Sequence, residues 1–203
     1  MAFLNNVMEN KSDIQIILKK LSSKEIDILI GEAKNFPYLV AGDRKRWTSF
    51  SKAYVMYKEN QLVASCSVIE LEKYIKLGPF IVLEKHQGKR YASLLVSEII
   101  RKNKHVSIYI GSYTPAIWHL AEKYSFKRIK SFFILPNVIR KYIIIQSLKN
   151  SRMSFMTEYL KKRIYKNSDY RYYVLEHNQV CNSLISNKQT KRFLFTESGC
   201  FFN

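Results

Sequence analysis

The chain has 203 residues, 47% of them hydrophobic, which is ample for a packed core, and its 6 Gly and 4 Pro leave little material for long flexible linkers. A formal charge of +18 follows from 34 Lys and Arg against 16 Asp and Glu, and residues 127–203 carry 15 basic side chains against 4 acidic ones. No apolar run approaches the ~18 residues of a membrane span, so a membrane partner is not expected.

The N-terminal MAFLNNVMEN lacks the basic and apolar regions of a secretion signal. The three cysteines, Cys66, Cys181 and Cys200, lie far apart, with no CxxC or Cys/His cluster for zinc. A reduced, cytoplasmic setting without a metal is therefore expected. The basic last third suits a polyanionic partner, tRNA or DNA among them, and is equally what a solvated Lys-rich surface carries.

In chain order, Lys11 to Ile30 reads as a helix. Asp13 is its candidate cap, Ile14, Ile17, Leu18 and Leu21 recur at helical spacing, Ser22-Ser23 interrupts it, and Gly31 marks its end. Three strands follow: Lys52 to Tyr57, then Gln61 to Glu70 after a turn at Glu59-Asn60, then Lys73 to Leu83. Phe80-Ile81-Val82-Leu83 is continuously apolar, as a strand buried on both faces should be. Tyr91 to Lys102 predicts an amphipathic helix through Ala92, Leu95, Val96, Ile99 and Ile100. Val106 to Ile110 predicts a strand, Pro115 to Tyr124 a helix with Pro115 in its first turn, and Phe126 to Leu135 another strand. Beyond these, Asn137 to Leu148 and Ser154 to Tyr165 read as helices and Tyr170 to Glu176 as a strand; the tail from Asn178 has weak periodicity. This order implies a mixed α/β sheet.

The stretch Val82 to Ala92 joins a buried strand to an amphipathic helix. A loop so placed points backbone N–H groups at one spot beside a helix N-terminus, which is anion-binding geometry. Lys89 and Arg90 add positive charge, so the loop suits a cofactor with several phosphates.

Gln87-Gly88-Lys89-Arg90-Tyr91-Ala92 resembles the pyrophosphate motif of the GNAT N-acetyltransferases, Gln/Arg-x-x-Gly-x-Gly/Ala, and Phe80-Ile81-Val82 matches the strand whose backbone pairs with pantetheine there. Downstream, Thr114 to Phe126 is similar to the family's second signature, Asn-x-x-Ala-x-x-Leu-Tyr-Glu-Lys-x-Gly-Phe, with Leu120, Glu122, Lys123 and Phe126 aligned. The resemblance covers about 75 residues by order of elements. It implies an α/β fold whose central, mostly antiparallel sheet is flanked by helices. Residues 1–135 would form the acyl-coenzyme-A-binding core, and 136–203 a basic extension completing or decorating the same domain. It also implies acetyl-CoA as acyl donor, contacted by Ile81, Val82, Gln87, Gly88, Lys89, Arg90, Tyr91 and Ala92.

Three positions depart from the family pattern. Arg90 replaces the loop Gly; its side chain either clashes, if that position needs φ > 0, or adds a phosphate contact. Ala121 stands where many members carry a tyrosine acid, and Ser125 replaces the Gly that ends the helix. Tyr124 is the first replacement candidate for the acid, against its plainer reading as a core aromatic. His119 can serve as acid or base and equally be a surface histidine. Ser112 and Tyr113 suit contacts to pantetheine or substrate, or a plain turn. No carboxylate stands out as base: Glu70 and Glu72 lie near the start of the third strand, and His86 is expected to face solvent. Without a base the acceptor amine needs a low pKa, as in an aminoacyl ester. The expected activity is acetyl transfer to a primary amine by direct attack in a ternary complex. The alternatives are transfer to a nucleic-acid-borne group and a non-catalytic binding module.

Overall fold

The computed structural model describes residues 13–36, 44–149 and 169–177. Seven strands form one mixed sheet in the order β1-β2-β3-β4-β5-β7-β6, with β1 Ile14–Lys19, β2 Lys52–Lys58, β3 Gln61–Leu71, β4 Tyr74–Val82, β5 Ser107–Ser112, β6 Lys127–Ile129 and β7 Arg171–Leu175. The helices are α1 Ser23–Lys34, α2 Arg44–Thr48, α3 Tyr91–Lys102, α4 Pro115–Lys123 and α5 Asn137–Lys149. β4 and β5 run parallel; β1–β2, β2–β3, β5–β7 and β6–β7 are antiparallel. The chain divides into two compact units. One is drawn from residues up to Val68 with Pro79–Leu95, the other from Ile69–Gly78 with the residues from Val96 onward.

In the first unit the expected helix from Lys11 to Ile30 is instead a strand and a helix. Ile14 to Lys19 pairs with β2, Ile14 opposite Lys58 and Lys19 opposite Ala53. Its isoleucines fit a pleated surface better than a helix, and four apolar residues at helical spacing do not outweigh that pairing. The break at Ser22-Ser23 is a capping box: Glu25 N–H donates to Ser22 Oγ (3.3 Å), and Ser22 N–H donates to Glu25 Oε2 (2.7 Å). α1 runs past Gly31 to Lys34 and ends at Asn35. Asp13 precedes β1, and the N-cap of α1 is Ser22. Ile26, Leu29 and Ala33 of α1 and Trp47 of α2 bury against Ala53 and Val55 of β2 with Leu62, Ile81 and Leu83. β2 turns into β3 through Glu59 and Asn60, both at positive φ, as a two-residue hairpin requires.

In the second unit β4 pairs with β5 over Tyr74–Leu77 opposite Ser107–Ile110. Gly78 follows at φ 122, and Pro79 then offers no N–H to a ladder. β7 lies between β5 and β6, with Ile110 opposite Tyr173 and Lys127 opposite Val174. The expected strand from Phe126 to Leu135 stops at Ile129. Ser131 Oγ accepts from Phe133 N–H (3.3 Å) and closes a 3-10 turn over Phe132–Ile134, and Leu135 is extended ahead of Pro136. Leu135 and Ile139 pack with Tyr109 and Val174, and Tyr74, Phe132 and Tyr172 close around them. The expected helix over Ser154 to Tyr165, the tail from Asn178, Cys181 and Cys200 lie outside the described residues. Among the described residues no helix is long and apolar enough to cross a membrane, and no cluster of His, Cys, Asp and Glu could hold a metal.

Candidate functional site

The loop after β4 is built by a short chain of hydrogen bonds inside the first unit. Leu83 N–H bonds Val63 O at 3.0 Å. Backbone groups of successive strand residues point to opposite edges, so the N–H and C=O of Val82 face away from β3. On that side Gln87 Nε2 donates to Val82 O at 3.2 Å. A 3-10 turn over Glu84–His86 connects the two, and the Glu84 N–H is held by the Glu32 carboxylate of α1. Ile81 is fully buried in the core, so its side chain is unavailable to a ligand and only its backbone can serve one.

Gly88 (φ 75) and Arg90 (φ 62) both take left-handed backbone. α3 starts immediately: Leu94 N–H bonds Arg90 O at 3.1 Å. The Tyr91 and Ala92 N–H groups therefore sit in the first helical turn, where no helix carbonyl can reach them. Lys85, Lys89 and Arg90 are exposed around this turn. His86 does not face solvent as expected. Both ring nitrogens are covered and lack a hydrogen-bond partner among the described residues, and the ring meets Tyr91 edge-on at 6.0 Å. Burial, followed by the charges of Lys85, Lys89 and Lys58, holds the imidazole below its usual pKa. Independently of burial, the lysine charges around the ring add positive potential at the loop, which favours an anion. The Tyr91 hydroxyl is likewise buried without a partner among the described residues.

The second unit holds the other candidates. Ser112 is a turn residue in both its groups: Oγ accepts from Thr114 N–H (3.0 Å), and its carbonyl accepts from Trp118 Nε1 (2.9 Å). Tyr113 packs edge-on against Tyr170 at 4.5 Å. Tyr124 caps α4 and is 8% exposed, with Lys123 Nζ 5.8 Å from its ring. His119 is exposed and 3.9 Å from Glu122, whose other oxygen accepts from the buried Tyr173 hydroxyl at 3.1 Å. Glu70 and Glu72 are exposed.

No family model and no curated protein matches the sequence. Solved structures do match. N-acetylglutamate synthase of Neisseria gonorrhoeae, complexed with coenzyme A and N-acetyl-glutamate, aligns over 80% of this chain with TM-score 0.56 and 15% identity. This chain spans only 35% of that protein. A GNAT-family acetyltransferase of Staphylococcus aureus Mu50 aligns over 80% of this chain and 99% of its own, with TM-score 0.53 and 14% identity. One from Elizabethkingia anophelis with acetyl-CoA bound aligns over 82% and 99%, at TM-score 0.52 and 16% identity. This chain has the GNAT fold.

Against that fold, the three departures acquire physical form. Arg90 does not straighten the loop: it holds φ 62, a conformation that glycine occupies without penalty. Ser125 does the same at the end of α4 (φ 60). Phe126 N–H reaches Ala121 O (2.9 Å) and Ser125 N–H reaches Glu122 O (3.0 Å), the double closure of a Schellman motif. Ala121 is fully buried, so a larger side chain there would have to displace packed neighbours.

Sequence reading missed a cluster of tyrosines in the second unit. Tyr109 and Tyr170 converge over Gly111, where a Cβ would collide with both hydroxyls. Burial, then neighbouring tyrosines, pushes both hydroxyls well above the ordinary tyrosine range. Arg171 lies on the other side of β7, its guanidinium 3.8 Å from the Trp118 ring centre and bonded to Asp169 (3.2 Å). The alternation Tyr170-Arg171-Tyr172 carried the signal for two opposite faces.

Proposed function

We propose that the protein is an acetyl-CoA-dependent N-acyltransferase acting on a primary amine. One observation carries the reading. Two left-handed residues, Gly88 and Arg90, open the first turn of α3 while Gln87 is tied to Val82 O. The donor pyrophosphate would sit against the Tyr91 and Ala92 N–H groups, with Lys89 and Arg90 as cationic partners. Gln87 and Gly88 shape the turn and would offer backbone to the same pyrophosphate, and Ile81 and Val82 offer backbone to the pantetheine.

The amine attacks the thioester carbonyl carbon, the carbonyl oxygen gains charge, and the C–S bond then breaks. The Val82 N–H, directed away from β3, suits stabilisation of that oxygen. The departing thiolate needs a proton, for which Tyr124 is our first assignment and His119 the second, and the proton shed by the amine nitrogen restores that donor. The exposure of His119 weighs against it. No carboxylate of the described loop is placed as base, so the reading favours an amine of low pKa, with much of the rate supplied by holding the two reactants together.

Calorimetry with acetyl-CoA, followed by release of free thiol on adding amines, tests this. Saturable binding is expected in the range of about 1 μM to 1 mM, where substrate constants usually fall. No binding at millimolar acetyl-CoA removes the enzyme reading. Binding with no turnover on any amine favours the non-catalytic module that Ala121 brings into view. Transfer to a nucleic-acid-borne amine is supported by the charge of residues 127–203. Within 169–173 its support is thin, because Asp169 engages both Arg128 and Arg171 and Tyr173 is fully buried. The run Lys161 to Lys166 lies outside the described residues.

A further inference from the structure

Next to the phosphate loop, within the first unit, lies an open cavity of about 790 Å³. Lys24, Ile28 and Glu32 of α1 form one wall, and Leu62, Leu83 and the Glu84-Lys85 turn take part in the rest. Positions 24, 28 and 32 recur every four residues, so they form a single stripe along α1. Eight residues of helix separate Lys24 from Glu32 by about 12 Å. The middle of the stripe is Ile28, a large apolar side chain 39% exposed, while Leu62 and Leu83 beneath are buried.

The charge of this cavity departs from that of the molecule. Its lining carries two lysines and two glutamates in a chain of net charge +18. A simple anion would find lysines over much of the surface. A ligand with an ammonium at one end, a carboxylate at the other and methylenes between finds all three matched partners here.

Glu32 also has a structural duty: it accepts the Glu84 N–H, and Glu84 opens the turn that ends at Gln87. Anything that pulls on the Glu32 carboxylate is two hydrogen bonds, through the Glu84 N–H and the Glu84 carbonyl that accepts from the Gln87 N–H, from the residue that ties the loop to Val82.

We propose that this cavity binds a small zwitterion with an apolar middle, its ammonium on Glu32 and its carboxylate on Lys24, and that occupancy alters acyl-CoA binding through the Glu32–Glu84 hydrogen bond. The second half rests on the acyl-CoA reading above; the first does not. The full chain, free of coenzyme A, is titrated with 6-aminohexanoate by NMR, with hexanoate and hexylamine as single-charge controls. Saturable binding is expected, with each control about tenfold weaker, as loss of one charge-assisted contact implies. Glu32→Gln, which keeps an oxygen for the Glu84 N–H, and Lys24→Ala should each weaken 6-aminohexanoate by about tenfold. No saturation by about 100 mM, equal binding of the controls, or indifference to both substitutions overturns the site. Acetyl-CoA is then titrated with and without saturating 6-aminohexanoate. A shift of about threefold or more is expected, the lower end of usual coupling energies, and an unchanged affinity overturns the coupling. If acetyl-CoA does not bind at all, the coupling falls with the acyl-CoA reading, while zwitterion binding with the Glu32→Gln loss still upholds the site.

Discussion

Arg90 and Ser125 occupy backbone that L side chains enter at a cost of roughly 1–2 kcal/mol each. Part of that is returned when glycine replaces them, because glycine loses more freedom on folding. Ser125→Gly should therefore raise stability by about 0.5–1 kcal/mol, read as a higher urea midpoint with an unchanged slope. Arg90→Gly should give a similar gain in stability and a loss in acetyl-CoA affinity. If the guanidinium grips phosphate, that loss is about tenfold or more, the usual worth of a charged hydrogen bond. Arg90→Asn, which also tolerates left-handed backbone, should lose the same affinity without the full stability gain. Equal or better binding by both variants would mean the arginine obstructs the site. These two positions were legible as motif departures. Which way each resolved was not, because a sequence motif records residue types and not the dihedral angle a substituted residue accepts.

α1 and its cap carry a pH dependence. Glu25 is buried, which alone would raise its pKa, but hydrogen bonds from Lys19 (2.8 Å), Tyr57 and Ser22 outweigh burial and lower the carboxyl to about 2. The folded pKa lies below the ordinary glutamate value of 4.5. The unfolded chain therefore takes up this proton first, and the stabilisation is full above about 4.5 and is lost as pH falls toward 2. Urea midpoints should drop between pH 5 and pH 2 in the wild type, and Glu25→Gln should flatten much of that limb. A parallel limb in the variant would place the acid sensitivity elsewhere. The cap itself was written in the sequence as Ser22-Ser23-Lys24-Glu25. The apolar spacing that ran across it obscured it, since Ile14, Ile17, Leu18 and Leu21 fit a helix while Ile14, Ile16 and Leu18 fit a strand. Length does not separate the two patterns. The β-branched composition and the partner strand decide. By contrast α3, with one apolar face and no competing period, matched its expected bounds from Tyr91 to Lys102. The Phe126 to Leu135 error has the opposite origin: its β-forming residues are right for a strand, and the Ser131 side chain with Pro136 ends it by local hydrogen bonding and sterics.

For the whole molecule, the order of strands and helices from β2 to α4 was readable because breaks such as Glu59-Asn60 and Thr114-Pro115 carry turn chemistry. The insertion of β7 between β5 and β6 was not, because pairing across roughly sixty residues leaves no local trace. Nor was the cavity along α1, whose walls come from three separate stretches of chain. Charge is the whole-molecule property that sequence gives directly and structure qualifies. Arg128 and Arg171 share the one carboxylate of Asp169, which offsets a single charge of the two, and Lys127 and Lys130 are exposed beside them in sequence. If the excess charge serves an RNA-borne acceptor, binding must release counterions. An interface neutralising about six phosphates would lose roughly a thousandfold in affinity between 50 and 200 mM salt. Titration of tRNA over that salt range measures the slope, with heparin as a polyanion lacking bases. A steep slope for both ligands with equal affinities would indicate charge alone. A steep slope with tRNA at least about tenfold tighter would support recognition of the nucleic acid. A flat slope would remove phosphate-driven recognition and leave the small-amine acceptor as the working activity.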